Sequence, residues 1–486
     1  MLDVSWETHA TSLANSPDDA VQSALDEIAC TIGVKACSGG GRVLVARDTR
    51  PHSARLAALA LEGIAHMGDC KAVDYGLLTT PQLQHITRHL NGRSAAGPHV
   101  GPAVWASEAG YYEMLATAYE KLVPDGGRTA EETRPVLWVD CACGIGAPQL
   151  AALSNRIACF LPITLTNLVG EGALNASCGA EYVQKARRPP RGFETPSDRR
   201  ACSLDGDADR VVYHYWRTGD GGDVAGAEWR LLDGDKIAAL FATFLDEELR
   251  CLDLSQPLSM AVVQTAYANG ASSQYIRSLG LETCLAKTGV KHVHGVAIEY
   301  DVSVYFEANG HGALLLSDKA VSVIKEAQEA EVAAATADAA KAAAANRILA
   351  ARQLVNQAIG DALSDLLLVE AILCLKGWTV ETWDDLYTDL PSRQTKLAVQ
   401  DRTTLTVTAD ETRTICPAAL QPELDDLARR FDHGRCFVRP SGTEDVVRVY
   451  AEAVSQQQAD ELALLVAQAT WRLAGGAGEM PANVAE

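Results

Sequence analysis

A short acidic run, Asp205-Gly206-Asp207-Ala208-Asp209-Arg210, constrains this chain more than any other segment. It follows the apolar residues 201–204, and carboxylates at every second position indicate a strand that ends in a tight loop. Convergent carboxylates repel one another unless a hard cation such as Mg²⁺ lies between them. The guanidinium of Arg210 could then bind a phosphate beside the metal. A solvated acidic turn is the alternative, but the regular alternation favours the metal site.

The composition is that of an acidic globular protein. The 486 residues carry a net charge of −21 at a hydrophobic content of 48%. This charge argues against nucleic acid and against an anionic membrane surface as partners, although a few basic residues in one cleft still permit a phosphorylated small molecule. The 13 cysteines include no CxxC, and no signal peptide or long apolar run occurs. We therefore expect free thiols and a cytoplasmic location.

The order of elements predicts an α/β fold. Strand-like segments lead into polar loops and then into helical segments along most of the chain, as at residues 41–66 and 261–270. Residues 320–352 are dominated by Ala with Lys, Glu and Gln, a strongly helical composition. These patterns predict several α/β units with packed helices between them.

A second polar loop, Arg439-Pro440-Ser441-Gly442-Thr443-Glu444, has the composition of a phosphate-binding turn. Hydroxyl groups, a Gly that exposes its backbone N–H, and an Arg are the donors that hold a phosphate, and Arg448 could add a charge from the next strand. An ordinary Pro-Ser-Gly turn explains the composition equally well, so both interpretations stay open here.

Two further loops have the polar groups that sugar hydroxyls need. Glu307, Asn309 and His311 alternate in a Gly-containing loop after a strand. Residues 288–292, Thr-Gly-Val-Lys-His, form another polar loop with a flexible Gly. Carboxylate, amide and imidazole groups supply mixed donors and acceptors, although polar tips of ordinary turns look the same.

Taken in chain order, these motifs resemble those of the α-D-phosphohexomutases. The matching stretches are DGDADR at 205–210, KTGVKH at 287–292, FEANGHG at 306–312 and RPSGTEDVVRVYAEA at 439–453. Supporting stretches are SWETHAT at 5–11, DYGLLTTPQL at 74–83, LLDGDKIA at 231–238 and LYTDLPSRQ at 386–394. They point to the branch of the superfamily that acts on phosphorylated N-acetylglucosamine.

The resemblance implies roles for individual residues. Asp205, Asp207 and Asp209 resemble the three carboxylate ligands of Mg²⁺, and Arg210 resembles a catalytic basic residue beside the transferring phosphate. The implied substrate contacts come from three loops, namely Thr288, Gly289, Lys291, His292, Glu307, Ala308, Asn309, Arg439, Pro440, Ser441, Gly442, Thr443 and Arg448.

The implied fold has four domains around a central cleft. Three are related α/β domains and the fourth is a smaller α+β phosphate-binding lid. We expect the remainder of domain 1 at residues 1–132, domain 2 with the metal loop at 133–235, domain 3 with the sugar loops at 236–375, and the lid at 376–486.

The sequence also departs from the family pattern. The family carries a phosphoserine in a Thr-Ala-Ser-His-Asn-Pro-type loop, and these 486 residues contain no Ser-His-Asn-Pro. In the acetylglucosamine branch that loop precedes the SWETHAT stretch, so we expect domain 1 to lack its N-terminal part. A smaller departure is Cys143, where the family has Asn.

The implied activity is that of an isomerase. It interconverts N-acetylglucosamine 6-phosphate and N-acetylglucosamine 1-phosphate through a 1,6-bisphosphate, in UDP-N-acetylglucosamine biosynthesis, with Mg²⁺ as cofactor. Because the serine loop is not found, we expect the chain as given to turn over little substrate. A non-catalytic sugar-phosphate-binding relative is the alternative.

Overall fold

The computed structural model describes residues 41–66, 70–92, 103–123, 135–219, 223–333, 338–442 and 444–483. The expectations about SWETHAT and Thr443 lie outside these residues. Strands and helices alternate along the described part of the chain, so the α/β prediction is confirmed. Among the described helices, none is both long and apolar enough to cross a membrane.

A five-stranded sheet carries the acidic loop. Its order is β4-β3-β5-β6-β7; β3 pairs in parallel with β4 and β5, whereas β5–β6 and β6–β7 are antiparallel. The strands are β3 (Leu137–Asp140), β4 (Ile163–Thr166), β5 (Arg200–Leu204), β6 (Val211–Gly219) and β7 (Asp223–Leu232). The acidic run therefore forms the turn of the β5–β6 hairpin.

A four-stranded sheet repeats this plan. Its order is β11-β10-β8-β9, with parallel pairs around β8 and an antiparallel β10–β11 hairpin. The strands are β8 (Met260–Thr265), β9 (Glu282–Ala286), β10 (Val302–Phe306) and β11 (Gly312–Leu316). Here the hairpin turn is the loop at 307–311, and residues 287–289 follow β9 at the same edge.

The C-terminal sheet is antiparallel, with the order β12-β16-β15. Its strands are β12 (Ser392–Ala398), β15 (Arg435–Pro440) and β16 (Val446–Glu452), and a small sheet pairs β13 (Thr406–Val407) with β14 (Thr414–Cys416). A separate apolar core lies between the larger sheet and two helices, α13 (Leu420–Ala428) and α14 (Gln456–Leu473). The third polar loop is the turn of the β15–β16 hairpin.

The first sheet of the described chain has two parallel strands, β1 (Arg42–Arg47) and β2 (Lys71–Leu77). The helices that follow are α1 (Ser53–Ala65), α2 (Thr80–Asn91), α3 (Glu108–Leu122), α4 (Gly146–Ile157) and α5 (Ala180–Ala186). Leu56 and Leu59 on α1 are exposed. The four main sheets fall within the four ranges expected for separate domains, and the exact boundaries stay a prediction.

Helices from several units share the largest apolar core. They include α6 (Gly234–Leu252), α7 (Gly270–Ser278), α8 (Val290–Ala297), α9 (Asp318–Ala333), α10 (Ala339–Leu354), α11 (Ala362–Lys376) and α12 (Val380–Asp384). The Ala-rich segment forms α9 and α10, which confirms its helical prediction. Helix α11 is buried on every face over Ala362–Leu373, so it lies inside the shared core rather than covering the face of one sheet.

Candidate active site

The acidic hairpin turn brings three carboxylates together. Asp205, Asp207 and Asp209 each offer an oxygen, and these atoms lie within 4.8 Å of one another. The Asp205 carboxylate accepts backbone hydrogen bonds from Asp209 at 3.1 Å and from Arg210 at 3.3 Å. Ala208 has a φ of 57°, the left-handed conformation that tightens the turn. The loop therefore folds around one of its own carboxylates and presents the others beside it.

The charges of this loop are unbalanced. Burial and the neighbouring carboxylates raise the pKa of Asp205 well above its usual value, and burial with Asp209 raises the pKa of Asp207. Burial also acts upward on Asp209, but a hydrogen bond and the charge of His311 lower its pKa overall. The Nε of Arg210 lies 3.8 Å from Asp205 and 3.6 Å from Asp209. A second guanidinium, that of Arg50, lies 3.8 Å from Asp207 but is also paired with Asp48, so the nearby positive charge offsets only part of the three carboxylates.

These residues fit a hard divalent cation. One Asp209 oxygen, Oδ1, is buried without a hydrogen-bond partner, although buried polar atoms are normally paired. Three clustered carboxylate oxygens are the donor set that Mg²⁺ prefers, with positions left for water or phosphate. The structure thus supports Asp205, Asp207 and Asp209 as candidate Mg²⁺ ligands.

A neighbouring loop supports the acidic turn from behind. The backbone N–H of Ile145 donates to the Gly206 carbonyl at 3.1 Å. An added Cβ on Gly144 would lie 2.5 Å from the same oxygen, so the two loops are in direct contact. Cys143, the departure from the family pattern, has a φ of 55° and accepts a hydrogen bond from Arg191 at 3.4 Å. Its thiol stays in a structural position behind the carboxylates.

The loop at 307–311 is joined to the acidic turn. His311 Nδ1 lies 3.3 Å from Asp209 Oδ2, and the N–H of Val211 donates to Gly310 O at 3.1 Å. Gly310 has a φ of 89°, and an added Cβ would clash with the Val211 carbonyl. Only Gly permits this approach. The two hairpin turns therefore form one continuous surface.

Glu307 connects this surface to the loop that begins at Thr288. Its Oε1 accepts the N–H of Gly289 at 3.0 Å, and Glu307 is 9% exposed. The Asn309 amide oxygen accepts the N–H of His311 at 3.0 Å, and the Ala308 carbonyl accepts the N–H of Gly234 at 3.3 Å. The loop is held by its own backbone bonds, which keeps the side chains of Glu307 and Asn309 in fixed positions.

The loop at 288–292 is joined to the C-terminal unit through Glu411. This carboxylate accepts the Thr288 N–H at 3.1 Å and its hydroxyl at 2.6 Å. Both oxygens also accept Arg439 Nη1, at 3.1 Å each, and Arg439 Nε donates to the Tyr267 hydroxyl at 3.0 Å. An unbroken series of contacts thus runs from the acidic turn through His311, Glu307 and Glu411 to Arg439.

Three basic residues, Lys396, Arg448 and Arg439, form one row across the C-terminal sheet, here called the basic row. Arg448 lies opposite Arg439 on one side and opposite Lys396 on the other. Directly opposed residues share a face of the sheet. The Arg448 Nε is buried and has no hydrogen-bond partner. This row places two guanidiniums and an ammonium beside the turn at 441–445, as an anion site requires.

That turn exposes backbone around Gly442. The buried Ser441 donates its N–H to Val446 O at 2.9 Å, and its hydroxyl accepts the N–H of Glu444 at 3.4 Å. Gly442 is exposed, and an added Cβ there would meet nothing within 4 Å. Pro440 ends β15 and lies opposite Val447. The described part of this loop is therefore open to a ligand.

A cavity of about 610 Å³ lies between residues 285–296, which include part of the loop at 288–292, and residues 408–410 of the C-terminal unit. Lys291 and His292 line one side, and Thr408 and Asp410 line the other. Gly289, with a φ of 117°, turns the chain into α8 at this wall. A volume of this size suits a phosphorylated monosaccharide.

Several residues of this site were not predicted from the sequence. Arg50 follows β1, forms an ion pair with Asp48, and lies 3.8 Å from Asp207. Glu411, Tyr267 and Lys396 contact or flank the predicted phosphate-binding arginines. The Arg47-Asp48-Thr49-Arg50 segment at the end of a strand was the one local signal for Arg50. The others lie on elements remote in sequence.

Family models match most of the chain. Residues 101–212 and 233–378 match the models described as phosphoacetylglucosamine mutase AMG1, domain II and domain III. Residues 18–100 match phosphoglucomutase/phosphomannomutase, alpha/beta/alpha domain I, and residues 397–469 match the C-terminal domain of that family. The match at 18–100 shows that a recognisable part of domain I is present.

Whole-chain relatives agree with these models. The human phosphoacetylglucosamine mutase is 43% identical over 484 residues, covering 99% of this chain and 84% of the human protein. The protein of that name from Oryza sativa subsp. japonica is 44% identical over 493 residues, covering 98% of this chain and 84% of the rice protein.

Solved structures show the same relationship. Aspergillus fumigatus N-acetylphosphoglucosamine mutase in complex with GlcNAc-6P and magnesium has a TM-score of 0.83 and 39% identity, covering 96% of this chain and 88% of that one. A variant of that enzyme in complex with glucose 1,6-bisphosphate has a TM-score of 0.81 and 40% identity, covering 98% and 84%. This chain, with its four-domain α/β architecture, belongs to the phosphoacetylglucosamine mutase family of the α-D-phosphohexomutases.

Proposed function

We propose that this protein is a Mg²⁺-dependent isomerase that interconverts N-acetylglucosamine 6-phosphate and N-acetylglucosamine 1-phosphate through a 1,6-bisphosphate. The observation that carries the proposal is the continuous series of contacts from the acidic turn to Arg439. It connects the carboxylate cluster, the polar loops at 288–292 and 307–311 and the basic row. Relatives named phosphoacetylglucosamine mutase support it, as does the related Aspergillus fumigatus enzyme in complex with GlcNAc-6P and magnesium.

The acidic turn would hold the reacting end of the substrate. Mg²⁺ bound by Asp205, Asp207 and Asp209 would offset charge on the transferring phosphoryl group. Arg210 lies beside these carboxylates and, with Arg50 near Asp207, would add positive charge to the same group.

The basic row would hold the other phosphate. Arg448 and Arg439, with Ser441, Gly442 and Thr443, offer side-chain and backbone donors that recognise a phosphate without reading the sugar. Such generic contacts suit a bisphosphate that must bind in two orientations. Thr288, Gly289, Lys291 and His292, with Glu307, Ala308 and Asn309, would contact the sugar between the two ends.

The phosphoryl donor of the family mechanism is a phosphoserine. The 486 residues contain no Ser-His-Asn-Pro, so the steps above concern binding, orientation and charge. We propose further that the protein is cytoplasmic, that its partners are small sugar phosphates rather than nucleic acid or membrane, and that its four domains divide near residues 132, 235 and 375.

Turnover tests the function. Conversion of N-acetylglucosamine 6-phosphate to the 1-phosphate would be followed by ³¹P NMR with a trace of 1,6-bisphosphate. Two proteins are compared: this chain, and this chain extended by the serine-loop segment of the human relative. We expect Mg²⁺-dependent turnover by the extended protein and its loss in Asp207→Asn. The Glu423→Gln variant, which changes an exposed carboxylate paired with Arg472, is the control.

The alternative is a non-catalytic sugar-phosphate-binding relative. It predicts that both proteins bind N-acetylglucosamine 6-phosphate in calorimetry and that neither converts it. Failure of both binding and turnover would contradict the proposed function itself.

A further inference from the structure

A basic cavity lies outside the candidate active site. Its volume is about 310 Å³, and it lies between α2, α3, α9 and α10. Arg88, Arg352 and Lys325 line it, together with the ring of Trp105, apolar side chains, and the polar side chains of His85, His89, Gln353, Asn356 and Gln357. None of the residues that line it belongs to the acidic turn, the sugar loops or the basic row. The cavity is therefore a separate feature of the fold.

None of its three cations forms a close ion pair among the described residues, although the charge of Asp318 acts on Arg88 and Arg352. Within the described residues, no carboxylate lies within ion-pair distance of Arg88, Arg352 or Lys325, whereas many other arginines form such pairs. The Nε of Arg352 is buried without a hydrogen-bond partner. Burial and the charge of Arg88 lower the pKa of Arg352, with partial opposition from Asp318. In a protein of net charge −21, three adjacent unpaired cations need an explanation.

The other polar groups in the cavity are already in use. Gln357 donates to the carbonyl of Leu314 and accepts the N–H of Leu316. Asn356 donates to the Pro81 carbonyl at 3.2 Å. These bonds tie the wall to β11 and α2, so the wall is rigid. His85, His89 and Gln353 also have hydrogen-bond partners, so the three cations are the groups most available to a ligand.

We propose that this cavity binds a small organic phosphate, with Arg88, Arg352 and Lys325 as the phosphate-binding residues. Guanidinium and ammonium groups that converge without a close ion pair are typical of phosphate sites. Apolar side chains and Trp105 beside them would contact an attached ring. The volume is at the lower limit for ligand sites and suits a nucleoside monophosphate or a sugar phosphate.

Isothermal titration calorimetry on the 486-residue chain tests the proposal, with UMP, N-acetylglucosamine 6-phosphate and inorganic phosphate as probes. EDTA is present, and the Arg448→Met variant is titrated in parallel to separate any binding in the catalytic cleft. We expect Arg352→Met and Arg88→Glu each to weaken binding by about 10-fold or more, as the loss of a charge-assisted contact implies. Arg429→Met, at an exposed arginine paired with Asp426, is the matched control.

Each outcome of the titrations either supports or overturns the proposed phosphate site. Tighter binding of UMP identifies a nucleotide site, and tighter binding of the sugar phosphate that persists in Arg448→Met identifies a sugar-phosphate site; either supports the proposal. Binding that Arg88→Glu and Arg352→Met leave unchanged overturns it, as does the absence of millimolar binding by all three probes. Arg88 is exposed, so its substitution tests the site without disturbing the core.

Discussion

Glu411 is the residue whose substitution tests the geometry of the site most sharply. It is 4% exposed, and all of the hydrogen-bond partners of its carboxylate are donors: Thr288 N–H, the Thr288 hydroxyl and Arg439 Nη1. Glu411→Gln keeps the shape of the side chain but replaces one accepting oxygen with an NH₂ group. That group would face donors, and Arg439, whose side chain is 17% exposed, would lose its counter-ion.

The cost follows from the bonds lost. A hydrogen bond to a charged group contributes about 1.5–3 kcal/mol. Glutamine retains roughly half of the acceptor capacity, so we expect the free energy of unfolding to fall by about 2–4 kcal/mol. Because Glu411 would compete with a bound phosphate for Arg439, the dissociation constant for N-acetylglucosamine 6-phosphate should not rise in parallel with the loss of stability.

Urea unfolding followed by tryptophan fluorescence measures the first quantity, and calorimetry measures the second. The control is Glu423→Gln, whose exposed pair with Arg472 should contribute no more than about 1 kcal/mol. A Glu411→Gln variant as stable as the control would refute the role of Glu411 as the link between the sugar loop and the C-terminal unit.

Three further outcomes are expected. Gly310→Ala should lower the free energy of unfolding in urea by about 3 kcal/mol or more, because an added Cβ clashes with the Val211 carbonyl. Gly170 has a similar φ of 90°, but an added Cβ there meets no atom within 4 Å, so Gly170→Ala should cost only about 1 kcal/mol. Burial lowers the pKa of His214 to about 3. The unfolded chain therefore takes up a proton at this residue below pH ~6.5, and the free energy of unfolding falls by about 1.4 kcal/mol per pH unit as the pH is lowered further. The His214→Gln variant should lack this dependence, and an equal slope of unfolding free energy against pH in the variant would contradict it. Arg448→Ala should weaken binding of N-acetylglucosamine 6-phosphate by about 10-fold in calorimetry, and an unchanged dissociation constant would count against the basic row.

The parts of the site that were predictable are local in sequence. The acidic turn could be found because its three carboxylates alternate within five residues after an apolar strand. The loops at 307–311 and 439–444 have the same form, a strand followed by polar groups around a Gly. The structure places all three at hairpin turns, where one short segment sets the geometry.

The parts that were not predictable depend on contacts between distant residues. Glu411 meets Thr288 across 123 residues, and no pattern around Glu411 marks it. The row of Lys396, Arg448 and Arg439 exists only through strand register, which the sequence does not specify. Arg50 approaches Asp207 because the first sheet packs beside the metal loop. Tertiary packing decides these positions.

The most direct test of the central claim is a crystal structure of this protein with N-acetylglucosamine 6-phosphate and Mn²⁺ as an anomalous substitute for Mg²⁺. The account predicts one metal peak bound by Asp205, Asp207 and Asp209 at roughly 2.0–2.3 Å. It also predicts a phosphate on Arg448 and the turn at 441–445, with the sugar between Glu307 and the loop at 288–292. A metal bound elsewhere, or a sugar phosphate bound away from both loops, would contradict it.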